Sequence, residues 1–191
     1  MDGASPTFVW LDLEMTGLDP DTCVILEVGV ILTGPDLVPK AELERVVWQP
    51  EEALLRMEPI VREMHTRNGL IDRVRASTFS LRAAEQDVVA LVAEHCLLGE
   101  GLLAGSSIHT DRRFLVHYMP MLERYLSYRQ VDVTSLKLLA RAWYPEGGTE
   151  PSKGTRAHTA LADLRESIAD LKHLRDNFWR PPAASGGKAR R

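Results

Sequence analysis

The chain has 191 residues, 45% of them hydrophobic, with 23 basic against 27 acidic side chains and a net charge of −4. That is the length of one domain with enough apolar residues to pack a core, which excludes a disordered chain, and no run of about 18 apolar residues offers a membrane span. Four of the basic residues, Arg180, Lys188, Arg190 and Arg191, lie in the acid-free tail RPPAASGGKARR, which leaves 19 basic against 27 acidic residues elsewhere, the wrong sign for gripping long nucleic acid.

In chain order, residues 7–14 predict a strand and CVILEVGVIL (23–32) a second, β-branched one closed by the turn LTGPD. ERVVWQP (44–50) predicts a third strand stopped by Pro50, so the chain opens as an antiparallel meander. The period then changes. EPIVREMHTRNG (58–69) predicts a short helix ending near Gly69, and residues 80–97 a longer one capped by Ser80. GLLAG (101–105) predicts a buried strand, residues 109–119 a helix, and RQVDV (129–133) a last strand. Asp132 is placed to cap a helix with Leu136, Leu139, Ala140 and Trp143 at i, i+3, i+4 and i+7. After a Gly- and Pro-rich loop (144–156), a final helix over about 158–178 carries the stripe Leu161, Leu164, Ile168, Leu171, Leu174 and Phe178. This order fits a mixed α/β sheet of about five strands with helices on both faces, a single domain over residues 1–179, and a disordered basic tail over 180–191. Cys23 and Cys96 sit in apolar stretches and read as buried free thiols. With no basic-then-apolar leader in MDGASPTF, the expected location is the reducing cytoplasm.

Asp12 and Glu14 break the apolar first strand at its end. Residues i and i+2 of a strand share a face, so the two carboxylates project together where open α/β sheets place ligands. Ionised and close, they repel. A hard, oxygen-seeking cation such as magnesium or manganese would relieve this. The alternative is an exposed pair of strand-end acids. Asp111 opens a basic and apolar helix, and is either a further ligand or an acid favoured by the helix dipole. Asp163 stands beside the last buried stripe, as a ligand or a solvated acid. His158 precedes it by five residues, about 140° apart on one helix, so it reads as a residue of the helix entry, converging on the same site or serving as a cap.

The pattern of D-x-E in the first strand, a middle Asp and a late H-x-x-x-x-D resembles the DEDDh branch of the proofreading-type 3′→5′ exonuclease superfamily. WLDLEMTGLDP, DRRFL, DVTSLKLLARAW and HTALADLRESI resemble the oligoribonuclease family, over about residues 7–178. The resemblance implies a ribonuclease H-like fold. It implies two divalent ions, magnesium or manganese, on Asp12, Glu14, Asp111 and Asp163, with His158 as general base. It implies hydrolysis of RNA two to five nucleotides long, diribonucleotides especially, to 5′-mononucleotides. Leu18 resembles a wedge against the terminal bases, His65 a residue lying along the nucleotide, and Ser107 a contact to the 5′ phosphate. Tyr128 and Arg129 match a pair that reaches the partner's site in a homodimer. Three positions depart from the family pattern. Ser106 replaces Asn, His109–Thr110 replace Gly–Gln, and Ile60 stands where a Trp often precedes the histidine by five residues, which removes a stacking surface.

Overall fold

The computed structural model describes residues 5–145 and 159–179. Five strands form one sheet: β1 (Phe8–Met15), β2 (Ile25–Thr33), β3 (Pro39–Val46), β4 (Gly101–Gly105) and β5 (Leu126–Asp132), in the order β3-β2-β1-β4-β5. β1–β2 and β2–β3 pair antiparallel, β1–β4 and β4–β5 parallel, so the expected mixed sheet with an antiparallel opening is present. The direction change falls at β1, the strand that carries Asp12 and Glu14.

Period-2 alternation divides the core. Val9, Leu11 and Leu13 face the side covered by α4 (Leu81–Ala93), α5 (His109–Tyr118) and α6 (Pro120–Glu123), against Val88, Val92, Phe114, Leu115 and Leu122. Trp10 faces the other side with Ile31, Ala104, Val133, Leu164 and Ile168, beneath α7 (Val133–Trp143) and α8 (Ala160–Phe178). Asp12 and Glu14 continue the Trp10 face and therefore point toward α8. A smaller cluster of Leu26, Leu54, Leu70 and Val74 seats α1 (Glu51–Leu55), α2 (Pro59–Arg67) and α3 (Leu70–Ala76) at the end of β2. Every residue of β2 is buried.

Ser80 caps α4 by accepting the Ala83 N–H at 3.2 Å, and Asp132 caps α7 by accepting that of Thr134 at 3.0 Å. Gly69 takes a left-handed φ of 74° between α2 and α3, the conformation for which glycine is cheap.

Several expected boundaries move. The third strand is not 44–50 but Pro39–Val46. PKAELERV lacks an apolar run because β3 is an edge strand, where charge is tolerated and protective. Its hydrogen bonds to β2 define it instead. Val47, just past the strand, donates its N–H to the Leu26 carbonyl at 2.8 Å and bridges Phe79. β5 starts at Leu126 rather than 129, again on pairing at an edge. α4 ends at Ala93 rather than 97. The short helices α1, α3 and α6 have no counterpart in the sequence reading, since one or two turns display too little periodicity. Cys23 and Cys96 are free but only partly buried. The α7 stripe is not a core stripe: Ala140 is buried, yet Leu139 and Trp143 are exposed. Residues 180–191 lie outside the described residues.

Candidate active site

Strand geometry places the first two acids. Asp12 pairs across with Gly29 and Glu14 with Glu27 on β2. α8 crosses this face and contributes Asp163 from its first turn. Asp12, Glu14 and Asp163 each offer a carboxylate oxygen, and the three lie within 4.8 Å of one another. Asp111, in the first turn of α5, is not part of this triad but adjoins it. It is buried, and its Oδ1 accepts the Leu13 N–H at 2.9 Å, so β1 itself orients the carboxylate. The helix-dipole reading and the site reading of Asp111 thus coincide: it sits in a first turn and faces the strand that carries the other acids.

The electrostatics are those of crowded, poorly solvated anions. Burial, then the charges of Asp111, Glu14, Asp163 and Glu27, raises the Asp12 carboxyl well above the ordinary aspartate range. Burial, then Asp163, Glu27 and Asp111, pushes Glu14 up to about 8, with Arg73 pulling the other way. Asp111 is pushed up to about 7 by burial, against the N–H groups of Leu13 and of Asp111 itself. Such shifts mark sites that need a compensating charge. Among the described residues the donor set is all oxygen, anionic and half-enclosed, which fits hard divalent cations better than the sulfur and imidazole ligands of a typical zinc site do. Asp12, Glu14, Asp163 and the adjoining Asp111 are therefore the residues that would hold a divalent metal ion.

A cavity of about 240 Å³ opens from Asp12 and Asp163, lined also by Ser106, Lys137, Glu166, Ser167 and Asp170. Lys137 Nζ lies 2.5 Å from Asp170 Oδ2 at its wall. Ser106, one of the departures from the family pattern, bonds Ser167 on α8 at 2.8 Å between hydroxyls. A larger groove of about 770 Å³ runs along α5 past Pro20, His109, Arg113 and Gln130 and touches none of the four acids.

The remaining expected residues differ in burial and partners. His65 is wholly buried on α2. Its Nε2 lies 2.9 Å from the Met15 carbonyl and its Nδ1 3.9 Å from Glu14 Oε2, so it lies beneath the site. Leu18 is 70% exposed on the turn after β1. Ser107, at a left-handed φ of 53°, donates its N–H to Asp132 Oδ1 at 2.9 Å and its hydroxyl to Thr134 Oγ1 at 3.2 Å. Tyr128 is exposed, with the Arg129 guanidinium 4.4 Å over its ring, and Ile60 is exposed on α2. His158 lies outside the described residues.

Sequence reasoning missed Glu27, Arg73 and Lys137. Glu27 was legible: it is an acid inside the β-branched run ILEVGVIL. Its burial at 0% exposure beside Glu14 follows from the register.

Residues 9–171 match the exonuclease family RNase_T. An oligoribonuclease of Paracidovorax citrulli is 46% identical over 175 residues, covering 91% of this chain and 90% of that one. An oligoribonuclease of a Mycobacterium species is 46% identical over 181 residues, covering 93% and 84%. Among solved structures, E. coli exonuclease I in complex with a dA16 oligonucleotide superposes with a TM-score of 0.65 at 15% identity. The match covers 91% of this chain but only 41% of that one, so this likeness is one of fold.

Proposed function

Because the chain belongs to the oligoribonuclease family of exonucleases, we propose that it hydrolyses RNA of two to five nucleotides from the 3′ end, diribonucleotides foremost. The products are 5′-mononucleotides, the cofactors two magnesium or manganese ions, and the setting the cytoplasm. The observation that carries this reading is the convergence of Asp12, Glu14 and Asp163 within 4.8 Å, at the strand where the sheet changes direction.

Bound divalent ions supply Lewis acidity, acidifying water and stabilising charge on the scissile phosphate and leaving oxygen. The chain's own residues do the rest. Asp12, Glu14, Asp111 and Asp163 present the anionic cradle. Leu18, exposed on the turn after β1, wedges against the terminal bases. His65 supports the site beneath the nucleotide, and Ser107 receives the 5′ phosphate. His158 takes the proton of the attacking water, a role suited to a side chain whose ordinary pKa is near 6.5. Tyr128 and Arg129 reach the site of a second copy in a homodimer, closing the groove behind a dinucleotide.

The test is turnover of a 5′-phosphorylated diribonucleotide beside a seven-residue RNA and a matched DNA, with manganese, with EDTA, and with Asp111→Ala. Metal-dependent cleavage biased to the diribonucleotide is expected. Equal cleavage of all three moves the protein to a general exonuclease, and no cleavage removes the reading. His158→Ala should keep manganese binding by calorimetry and lose roughly 10²–10⁴-fold in rate; a fully active variant ends its role as base.

A further inference from the structure

α8 brings Asp163 to the site, yet its N-terminus has no cap of its own: Thr159 makes no side-chain capping bond. The first N–H groups of a helix need acceptors. Here they come from the sheet. The Ala160 N–H donates to Glu27 Oε2 on β2 at 3.2 Å, and the backbone N–H of Leu161 favours the charged form of the Glu44 carboxylate on β3. Both acids converge on one cation. Arg73 of α3 places Nη1 2.6 Å from Glu27 Oε1 and 3.6 Å from Glu44 Oε2. The approach is close because Gly29, one step along the same face from Glu27, has no side chain. A Cβ there would lie 2.6 Å from that of Ala160.

We propose that Glu27, Glu44 and Arg73 form a clamp that fixes where α8 begins, and so positions Asp163 for cation binding. These are positioning residues. None belongs to the carboxylate triad, and they act on it through the opening residues of α8, whose first turn also holds Asp163. Asp163 is tied to that start directly, its N–H donating to the Thr159 carbonyl at 3.0 Å. Three separate elements thus set the helix from outside. The inference rests on the proposed metal site.

Arg73→Gln separates positioning from simple charge. Removing a cation beside an acidic cluster should, through space, tighten binding of another cation. Loosening the clamp should weaken it, by about tenfold as for other groups that support metal ligands. The experiment measures Mn²⁺ affinity by calorimetry, and amide exchange of Ala160 and Leu161 in the metal-free protein. The clamp predicts weaker Mn²⁺ binding and faster exchange at both amides, with recovery toward wild type in Arg73→Lys. Tighter or unchanged Mn²⁺ binding, or unaltered exchange, overturns it. Arg73→Gln leaves Glu27 buried without its cation and can fail to fold, so Glu44→Gln, which keeps the Glu27–Arg73 pair, is measured in parallel. It should speed exchange at Leu161 and weaken Mn²⁺ binding by a few-fold, and no change in either overturns the clamp. Failure of the wild-type protein to bind Mn²⁺ overturns the metal site, while the exchange rates still decide the clamp.

Discussion

Asp12, Glu14 and Asp163 are held together at the expense of the metal-free fold. Asp12→Ala or Asp163→Ala should lower turnover by on the order of 10²–10³-fold or more, yet leave the metal-free melting temperature unchanged or higher, since each removes like-charge repulsion. A collapse of the fold in circular dichroism would make these acids structural. The pH dependence has a definite sign. Glu14 is protonated in both folded and unfolded chains below about 4.5 and ionised in both above about 8. In between, the folded chain holds a proton that the unfolded chain has released, so stability falls as pH rises through this window. The metal-free melting temperature should therefore drop between pH 5 and pH 8, and Mn²⁺ should raise it more at pH 8 than at pH 5.5. An equal Mn²⁺ effect at both values would show that the carboxyls are ionised throughout.

At the scale of elements, the packing of α8 on β2 is the least forgiving contact near the site. Gly29→Ala would place a methyl group against Ala160 and the α8 backbone, and should cost about 1–3 kcal/mol, read as a lower urea midpoint. A midpoint equal to wild type would show that α8 can retreat freely. The elements that reason from sequence reads well are those whose signal is local. β1, β2 and β4 are apolar runs, and α8 has a long stripe with Leu164, Ile168 and Leu174 buried. Edge strands are harder, because the partner's hydrogen bonds and not the side chains define β3. The α7 stripe shows the opposite failure: Leu136, Leu139, Ala140 and Trp143 have the right spacing, but only Ala140 is buried, while Leu139 and Trp143 are exposed. Among the site residues, Asp12 and Glu14 could be paired from strand period alone. Their approach to Asp163 could not, because it depends on α8 crossing a sheet whose strand order no single stretch encodes. Motif resemblance joined these distant acids where periodicity could not. Glu27 stood out as an acid in an apolar run, but its place beside Glu14 emerges only from the pairing of β1 with β2.

For the molecule as a whole, the charge balance and the exposed Tyr128–Arg129 pair matter most. Tyr128 stands 76% exposed at an edge of the sheet, a poor place for an aromatic that serves only its own subunit. If it completes a second copy's site, two inactive chains should rescue each other. A Tyr128→Ala, Arg129→Ala chain mixed with an Asp12→Ala chain pairs sound acids in one subunit with a sound pair from the other. Diribonucleotide cleavage should appear on mixing, alongside a dimer in analytical sedimentation. Two inactive proteins that stay inactive while forming mixed dimers would confine the pair to its own subunit.

The order in which the acids occur along the chain has a consequence for the timing of activity. Asp12 and Glu14 leave the ribosome early, and Asp163 arrives on the last helix. A nascent or prematurely ended chain that stops before α8 can pair β1 with β2, yet it lacks one wall of the cation cradle. Such a fragment should be silent toward the RNA around it. Synthesis of α8 is then the step that completes the cradle, and a chain cut short of it carries only part of the site.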